Sequence, residues 1–251
     1  MRLISAEVLK LVRRRGLMAW SLILTVGSVL VAEIVLVVLH AVNPNHHGAA
    51  GGATNLEHTV FLAAGLGTVA AILIGATAGT QDVSNGVFRD LVVTGRKRST
   101  LFNVRVPGAL AVFMPILALG LGLSVACSFV FAGSLPNPSG SLIAKYVEYS
   151  VAITAINVIV AVGLAAFASS RVVVGVLIAW NAIVAHLLRQ IGILGGARKL
   201  IDVVAAEHFL PVTNFNDTRI AMSSVAAALI LLGWALVFTR AGRWWTIRRD
   251  A

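Results

Sequence analysis

Stretches of about 20 mostly apolar residues recur along this chain, each long enough as a helix to cross a hydrocarbon layer of roughly 30 Å. No other feature restricts the fold as strongly. Hydrophobic residues make up 58% of the sequence, more than a soluble domain of this length can hide in a core. The chain therefore reads as an all-α integral membrane protein, a single domain over 1–251. Six spans are expected, near Leu17–Leu39, Thr59–Thr80, Val106–Ala132, Tyr146–Ala168, Val172–Leu188 and Ile220–Thr239. The first apolar run exceeds the 7–15 residues of a signal-peptide core and no small-residue cleavage site follows, so it is expected to stay in the mature protein.

The net charge of +10 could suggest nucleic acid, but the basic residues cluster at the ends of the apolar runs, where they orient a membrane protein. No nucleic-acid partner is expected. Fifteen of the 20 Lys and Arg residues fall on one side: the segment before the first run, the stretch 81–105, Arg171 and the C-terminal tail. By the excess of basic residues in cytoplasmic loops, that side and both termini are expected in the cytoplasm. Trp244 and Trp245 suit an interfacial anchor beside the tail's arginines. The single cysteine, Cys127, lies in an apolar run and can form no intrachain disulfide.

Two connections carry pattern of their own. Before the first span, residues 1–16 place Ile4, Val8, Leu11 and Val12 on one helical face and Arg2, Lys10, Arg13 and Arg14 on the other. Such a helix is expected to lie in the headgroup plane of the lipid bilayer. On the opposite side, 189–218 holds two moderately apolar pieces, hinged at Gly195-Gly196 and stopped by Pro211. Each is too short to span, which predicts re-entrant or surface-lying half-helices. The segment "NPNHHGAAGGATN" after the first span predicts a flexible loop.

The cytoplasmic stretch 81–105 breaks the apolar pattern. Asp82 or Ser84 can cap a helix in which Val83, Val87, Leu91 and Val92 recur at helical spacing beside Phe88. Gly95 is a terminator, Arg96, Lys97 and Arg98 gather at the C-terminal end, and Ser99 begins a second piece leading through Pro107 into the third span. A helix resting on lipid and a helix gripping a partner are both compatible with this pattern.

The pattern of an acidic residue, Gly86, Arg89 and Leu91, followed by Gly95 and Arg98, resembles the cytoplasmic loop of type-2 ABC exporter permeases. The order of the other parts is similar as well: an N-terminal elbow helix, six spans, a long loop between spans two and three, and half-helices before span six. The chain looks like the small bacterial members, similar to bacitracin-resistance and lantibiotic-immunity permeases. Val87 stands where a Thr is frequent and Arg105 where a Lys is. The resemblance implies that Asp82–Thr94 is a coupling helix docking on a separate cytoplasmic ATPase. Val87, Phe88 and Leu91 would form its knob, with Gly86, Asp82, Arg89, Asp90 and Arg98 around it. It further implies a transport subunit, not an enzyme, in a bacterial plasma membrane. That subunit would pair with itself or a paralogous permease and serve two ATPase copies carrying the ATP and Mg. The sequence has no GxxxxGK[ST] phosphate loop and no expected cofactor or metal of its own; His46, His47, Glu57 and His58 sit in a Gly-rich segment without ligand spacing.

Away from the ends of the spans, Glu33 is the one carboxylate. Three roles are open to it: pairing with Arg189 or His186, lining a substrate path, or relaying protons. Asn157 and Asn181 are expected chiefly to hydrogen-bond between helices, and could otherwise contact cargo together with His186. Gly67, Ala71, Gly75 and Gly79 recur every four residues, which predicts close helix approach within the subunit more than at a dimer seam.

Overall fold

The computed structural model of the chain describes residues 2–211 and 220–248; of Arg2, Val83, Ser84, Phe88, Arg89 and Leu91 it describes the backbone alone. Most of the described residues are helical, with no strand among them. A short helix α1 (Arg2–Val12) precedes six helices long and apolar enough to cross a membrane. The first of these, Arg15–Val42, consists of α2 (Arg15–Leu22), a π-turn at Ile23–Gly27 and α3 (Ser28–Val42). The second is α4 (Gly52–Ser84), followed by short helices α5 (Val87–Val93) and α6 (Arg98–Asn103). Then come α7 (Arg105–Val130) and α8 (Gly140–Leu164). The fifth span is α9 (Ser170–Ala179), a π-turn at Trp180–Val184, and α10 (Ala185–Gln190). A 3-10 segment at Gly192–Leu200 leads to α11 (Asp202–Glu207), and α12 (Ser224–Arg248) is the sixth span. This is a multi-pass helical membrane protein.

Alternation of the six spans sorts the connections into two ends. One, the basic end, carries α1, α5, α6, the start of α9 and the last turns of α12; the opposite end carries the 3-10 segment and α11. The core lies among α4, α7 and α8, where Ile74, Phe113, Leu117 and Val158 are fully or almost fully buried. The glycine strip on α4 explains how these helices meet. A Cβ at Gly75 would lie 2.6 Å from the Val158 carbonyl oxygen, and one at Gly79 would lie 2.3 Å from Ala165 Cβ. Gly67 faces Thr25 and Phe113 in the same subunit. The strip is intramolecular packing, with small residues permitting backbone approach.

Several boundaries differ from expectation. The fourth span begins at Gly140, capped by Ser139 accepting from the Leu142 amide (3.3 Å), so Lys145 and Glu148 ride on the helix. The sixth does not stop at Thr239: Arg240, Arg243, Trp244 and Trp245 continue the same helix to Arg248, and Arg248 stacks 4.3 Å from the Trp244 ring centre. After the first span, the loop ends at Gly52, which adopts φ +82° and starts α4. Asn55, Glu57 and His58 are therefore helical, and Asn55 and Glu57 are buried. The Gly-rich composition masked a helix start whose polar residues find internal partners, Glu57 facing Tyr146 and Asn55 bonding the Ala50 carbonyl.

Candidate functional site

At the basic end, α4 does not give way to a helix capped by Asp82. It runs on to Ser84 and breaks at Asn85-Gly86, where Gly86 takes φ +73°, a conformation that favours glycine. The next helix is α5, seven residues from Val87, closed by the Thr94 amide on the Asp90 carbonyl (3.0 Å) and by Gly95 at φ +87°. Asp82 thus belongs to the last turn of the second span and points inward. Its Oδ1 accepts from Lys10 Nζ at 2.9 Å and its Oδ2 from Arg105 Nη2 at 3.3 Å. Arg105, 1% exposed, also donates from Nη1 to the Gly79 carbonyl at 2.9 Å. Lys10 makes a second pair with Glu7 at 2.6 Å.

Four charged side chains from α1, α4 and α7 therefore form one buried cluster. Gly108 on α7 makes room for it, since a Cβ there would lie 2.6 Å from Glu7 Cγ. Burial pushes the Glu7 carboxyl above its usual range, against the lowering effect of Lys10, and one of its oxygens has no hydrogen-bond partner. Where the sequence predicts a lipid-facing basic side for Lys10 and a docking rim for Asp82, the two side chains instead pair with each other inside the bundle. Among the elbow residues, Leu11 is fully buried, Ile4 and Val8 are half-buried, and Val12 is exposed, off the packed face. Glu7 itself was missed. Its signal was the three-residue spacing to Lys10 inside an otherwise basic segment.

The far side of the 81–105 connection is also tied down. Arg98 Nη1 donates to the Ile247 carbonyl at 3.2 Å, and Phe102, 2% exposed, packs against Gly242 of α12. Between these two attachments α5 stands free: Val87 is 43% and Val93 78% exposed, and Gly86 and Asp90 are exposed too. The side chains of Phe88, Arg89 and Leu91 lie outside the described residues.

No family model matches the chain, and no curated protein or solved structure matches it. The arrangement of the residues themselves is what any functional reading must use.

A second constellation lies at the opposite end. A cavity of about 350 Å³ opens between the second, fourth and fifth spans under α11, and Asn181, His186, Tyr149 and Glu207 line it. Asn157 lies behind, bonded reciprocally to Asn181: Asn181 Nδ2 donates to Asn157 Oδ1 at 2.8 Å and Asn157 Nδ2 to Asn181 Oδ1 at 3.2 Å. Each amide also donates to its own helix, Asn157 to the Ile153 carbonyl and Asn181 to that of Leu177. The asparagines are therefore interhelical glue whose donors are all engaged. The π-turn at Trp180–Val184 re-aims two neighbours, since Asn181 meets Asn157 and Trp180 Nε1 donates to Asp202 Oδ1 at 2.8 Å. Burial raises the Asp202 carboxyl above its usual range, although the Trp180 and backbone hydrogen bonds oppose this. On α12, Trp234 Nε1 donates to the Leu200 carbonyl at 2.8 Å.

Glu33 joins neither constellation. Arg189 pairs with Glu207 at 2.6 Å, not with Glu33. His186 is in the cavity, whereas Glu33 neighbours Cys127 on the third span. Glu33 is 4% exposed and neither carboxylate oxygen has a hydrogen-bond partner. Pairing across to the fifth span is overturned because α11 supplies a nearer acid to Arg189. Glu207 and Asp202 were missed in sequence; two acids within a short, otherwise apolar outer segment were the available signal.

Proposed function

We propose that this chain is the membrane-spanning subunit of an ABC exporter and that α5 is the docking element for a separate ATPase. The observation that carries the reading is the mounting of α5. It is short, its Val87, Asp90 and Val93 side chains are exposed, and both of its attachments are anchored: one by the Lys10–Asp82–Arg105 cluster, the other by Arg98 and Phe102 on α12. A partner closing on ATP must act on a stiff element continuous with the spans. Force on α5 would reach α1, α4, α7 and α12 without slack. The chain has no phosphate-cradling loop, so ATP and Mg belong to the partner.

On this reading the basic end and both termini face the cytoplasm of a bacterium, and α1 is an elbow helix in the headgroup plane. Of the outer segment 189–218, the described part, 189–211, dips into the bilayer; 212–218 lie outside the described residues. In support, Trp180 and Trp234 lie ten residues inside their spans, about 15 Å at 1.5 Å per residue, yet bond Asp202 and Leu200. A second subunit, itself or a paralogue, completes the path, and an amphipathic antibiotic, peptide or lipid moves outward. An immunity scaffold that expels a toxin from the membrane would use the same fold and ATPase; flux of cargo separates the two.

The test is affinity purification from native membranes, comparing the wild type with Val87→Asp/Val93→Asp. Both positions are exposed, so the variant keeps its fold. Recovery of a nucleotide-binding protein with wild type only is the expected result; equal recovery, or none from well-folded wild type, removes the reading. The unpartnered Glu33 favours a second reading, a proton-coupled transporter. That transporter would work without an ATPase and stop in Glu33→Gln.

A further inference from the structure

The cavity under α11 is not evenly lined. The chain directions of α4, α8 and the fifth span place Tyr149, His186 and Glu207 at its end near α11, and Ile72, Ile153 and Ile178 at its other end, deeper in the bundle. Its mouth is lateral, between the second and fifth spans, at exposed Gly65, Leu66 and Ala182. A molecule entering there comes from the bilayer. At the roughly 30 Å³ that a small heavy-atom group occupies in a liquid, the space holds about a dozen heavy atoms.

The polar end has a definite chemistry. Asn181 has both amide hydrogens engaged, and Thr68 donates to the Ala64 carbonyl, so neither has a donor to offer a ligand. The Arg189 bond occupies Glu207 Oε2 and leaves Oε1 for a ligand, and Tyr149 and His186 line the same cavity. Among the described residues, Glu207 is the one acid lining the cavity, and no Lys or Arg lines it. An anionic head would meet this carboxylate and could reach Arg189 only by breaking a 2.6 Å pair. A head that brings N–H donors and positive charge satisfies Oε1 and the Tyr149 oxygen together.

We propose that this cavity binds a single-chain amphiphile headed by a small cationic amine, the head on Glu207 and Tyr149 and the chain running toward Ile72 and Ile178. This deepens the exporter reading by naming the class of cargo; it rests on that reading for movement, though not for binding.

The experiment uses the full chain in phosphatidylcholine nanodiscs and equilibrium dialysis of labelled dodecylamine, dodecanol and dodecyl sulfate, which share a tail and differ in head. Site binding is the part abolished by Ala182→Trp, which plugs the mouth. Dodecylamine is expected to bind about tenfold more tightly than dodecanol, the size of one charge-assisted hydrogen bond. In the double variant Arg189→Gln/Glu207→Gln, which keeps a hydrogen-bonded pair without charge, that preference falls to within about twofold while dodecanol binding stays. Tyr149→Phe lowers amine binding alone, and it carries the test if the double variant is not monodisperse. The proposal is overturned by dodecyl sulfate binding as tightly as the amine. It is equally overturned by an amine preference that survives both variants, or by binding that Ala182→Trp leaves untouched. No ATPase is needed. A wild type without amine preference but with ATPase capture intact removes the cargo class and leaves the exporter, whereas the converse leaves a binding cavity without an exporter.

Discussion

The second and fourth spans have 67% and 56% of their apolar windows buried inside the bundle, but the first, fifth and sixth have 17%, 17% and 11%. The inner pair is a close-packed unit in which glycines bring backbones together, and at the basic end a buried charge cluster ties the second span to α1 and α7. The outer three present long apolar faces such as Val31, Ile34, Val176, Ile183 and Leu229, all exposed in a single copy. In water that contrast would be untenable; in a bilayer, lipid or another subunit covers these faces at no hydrophobic cost. The two π-turns fall in the first and fifth spans, both lightly packed.

The contrast can be broken at its most charged point first. Asp82→Ala leaves Arg105 buried without its carboxylate, and a loss of about 3–5 kcal/mol is expected, as for other broken buried pairs. Thermal unfolding in detergent, followed by loss of monodisperse protein, reads it; a stability equal to wild type would show that the cluster does not hold α1, α4 and α7 together. Next comes Gly75→Ala, whose Cβ would lie 2.6 Å from a carbonyl oxygen and is expected to cost about 1–3 kcal/mol by overpacking. The matched change Gly175→Ala on the fifth span meets nothing within 4 Å and should stay within about 0.5 kcal/mol. Equal effects at the two glycines would erase the distinction between inner and outer spans.

Asn157→Ala sharpens the comparison at the boundary between the two groups. Removing one partner of the reciprocal amide pair is expected to cost about 0.6–1.7 kcal/mol, the scale of polar contacts between membrane helices. The smallest effect is pH-dependent. Because the folded-state Glu7 carboxyl lies above its usual 4.5, its contribution favours the folded state fully below that value and is lost as pH rises through the raised one. Glu7→Gln should therefore flatten the decline of melting temperature over that window, and an unchanged slope would place the titration elsewhere.

Much of the fold was legible in the sequence, and the reason is physical. A bilayer demands continuous apolar length, so the six spans follow from composition along the chain, and the α4 glycine strip follows from four-residue spacing. Gly95 and the split before the third span were readable from turn chemistry. Partner choice was not. An amphipathic wheel cannot tell whether Lys10 faces lipid phosphate or a carboxylate 72 residues away. Asp82 has the sequence signature of a helix cap, and only the αL turn at Gly86 moves the break four residues later. Glu33 is the acid that the sequence offers to Arg189, and α11 supplies Glu207 instead by folding back under the bundle's end. Of the cavity, Asn181 and His186 were singled out by being polar inside a span, whereas Tyr149 and Glu207 emerge only when the fourth span and α11 meet.

The central claim is that α5 is where an outside protein takes hold, and Val93, 78% exposed between the two anchored attachments, is the place to ask it. A photo-crosslinking amino acid at position 93, activated in native membranes, gives the most direct answer. The account predicts an adduct with an ATP-binding protein that disappears when Val87→Asp is added. Adducts with lipid alone, in a chain that is folded and at normal abundance, would contradict it and leave α5 as a helix that merely rests on the membrane.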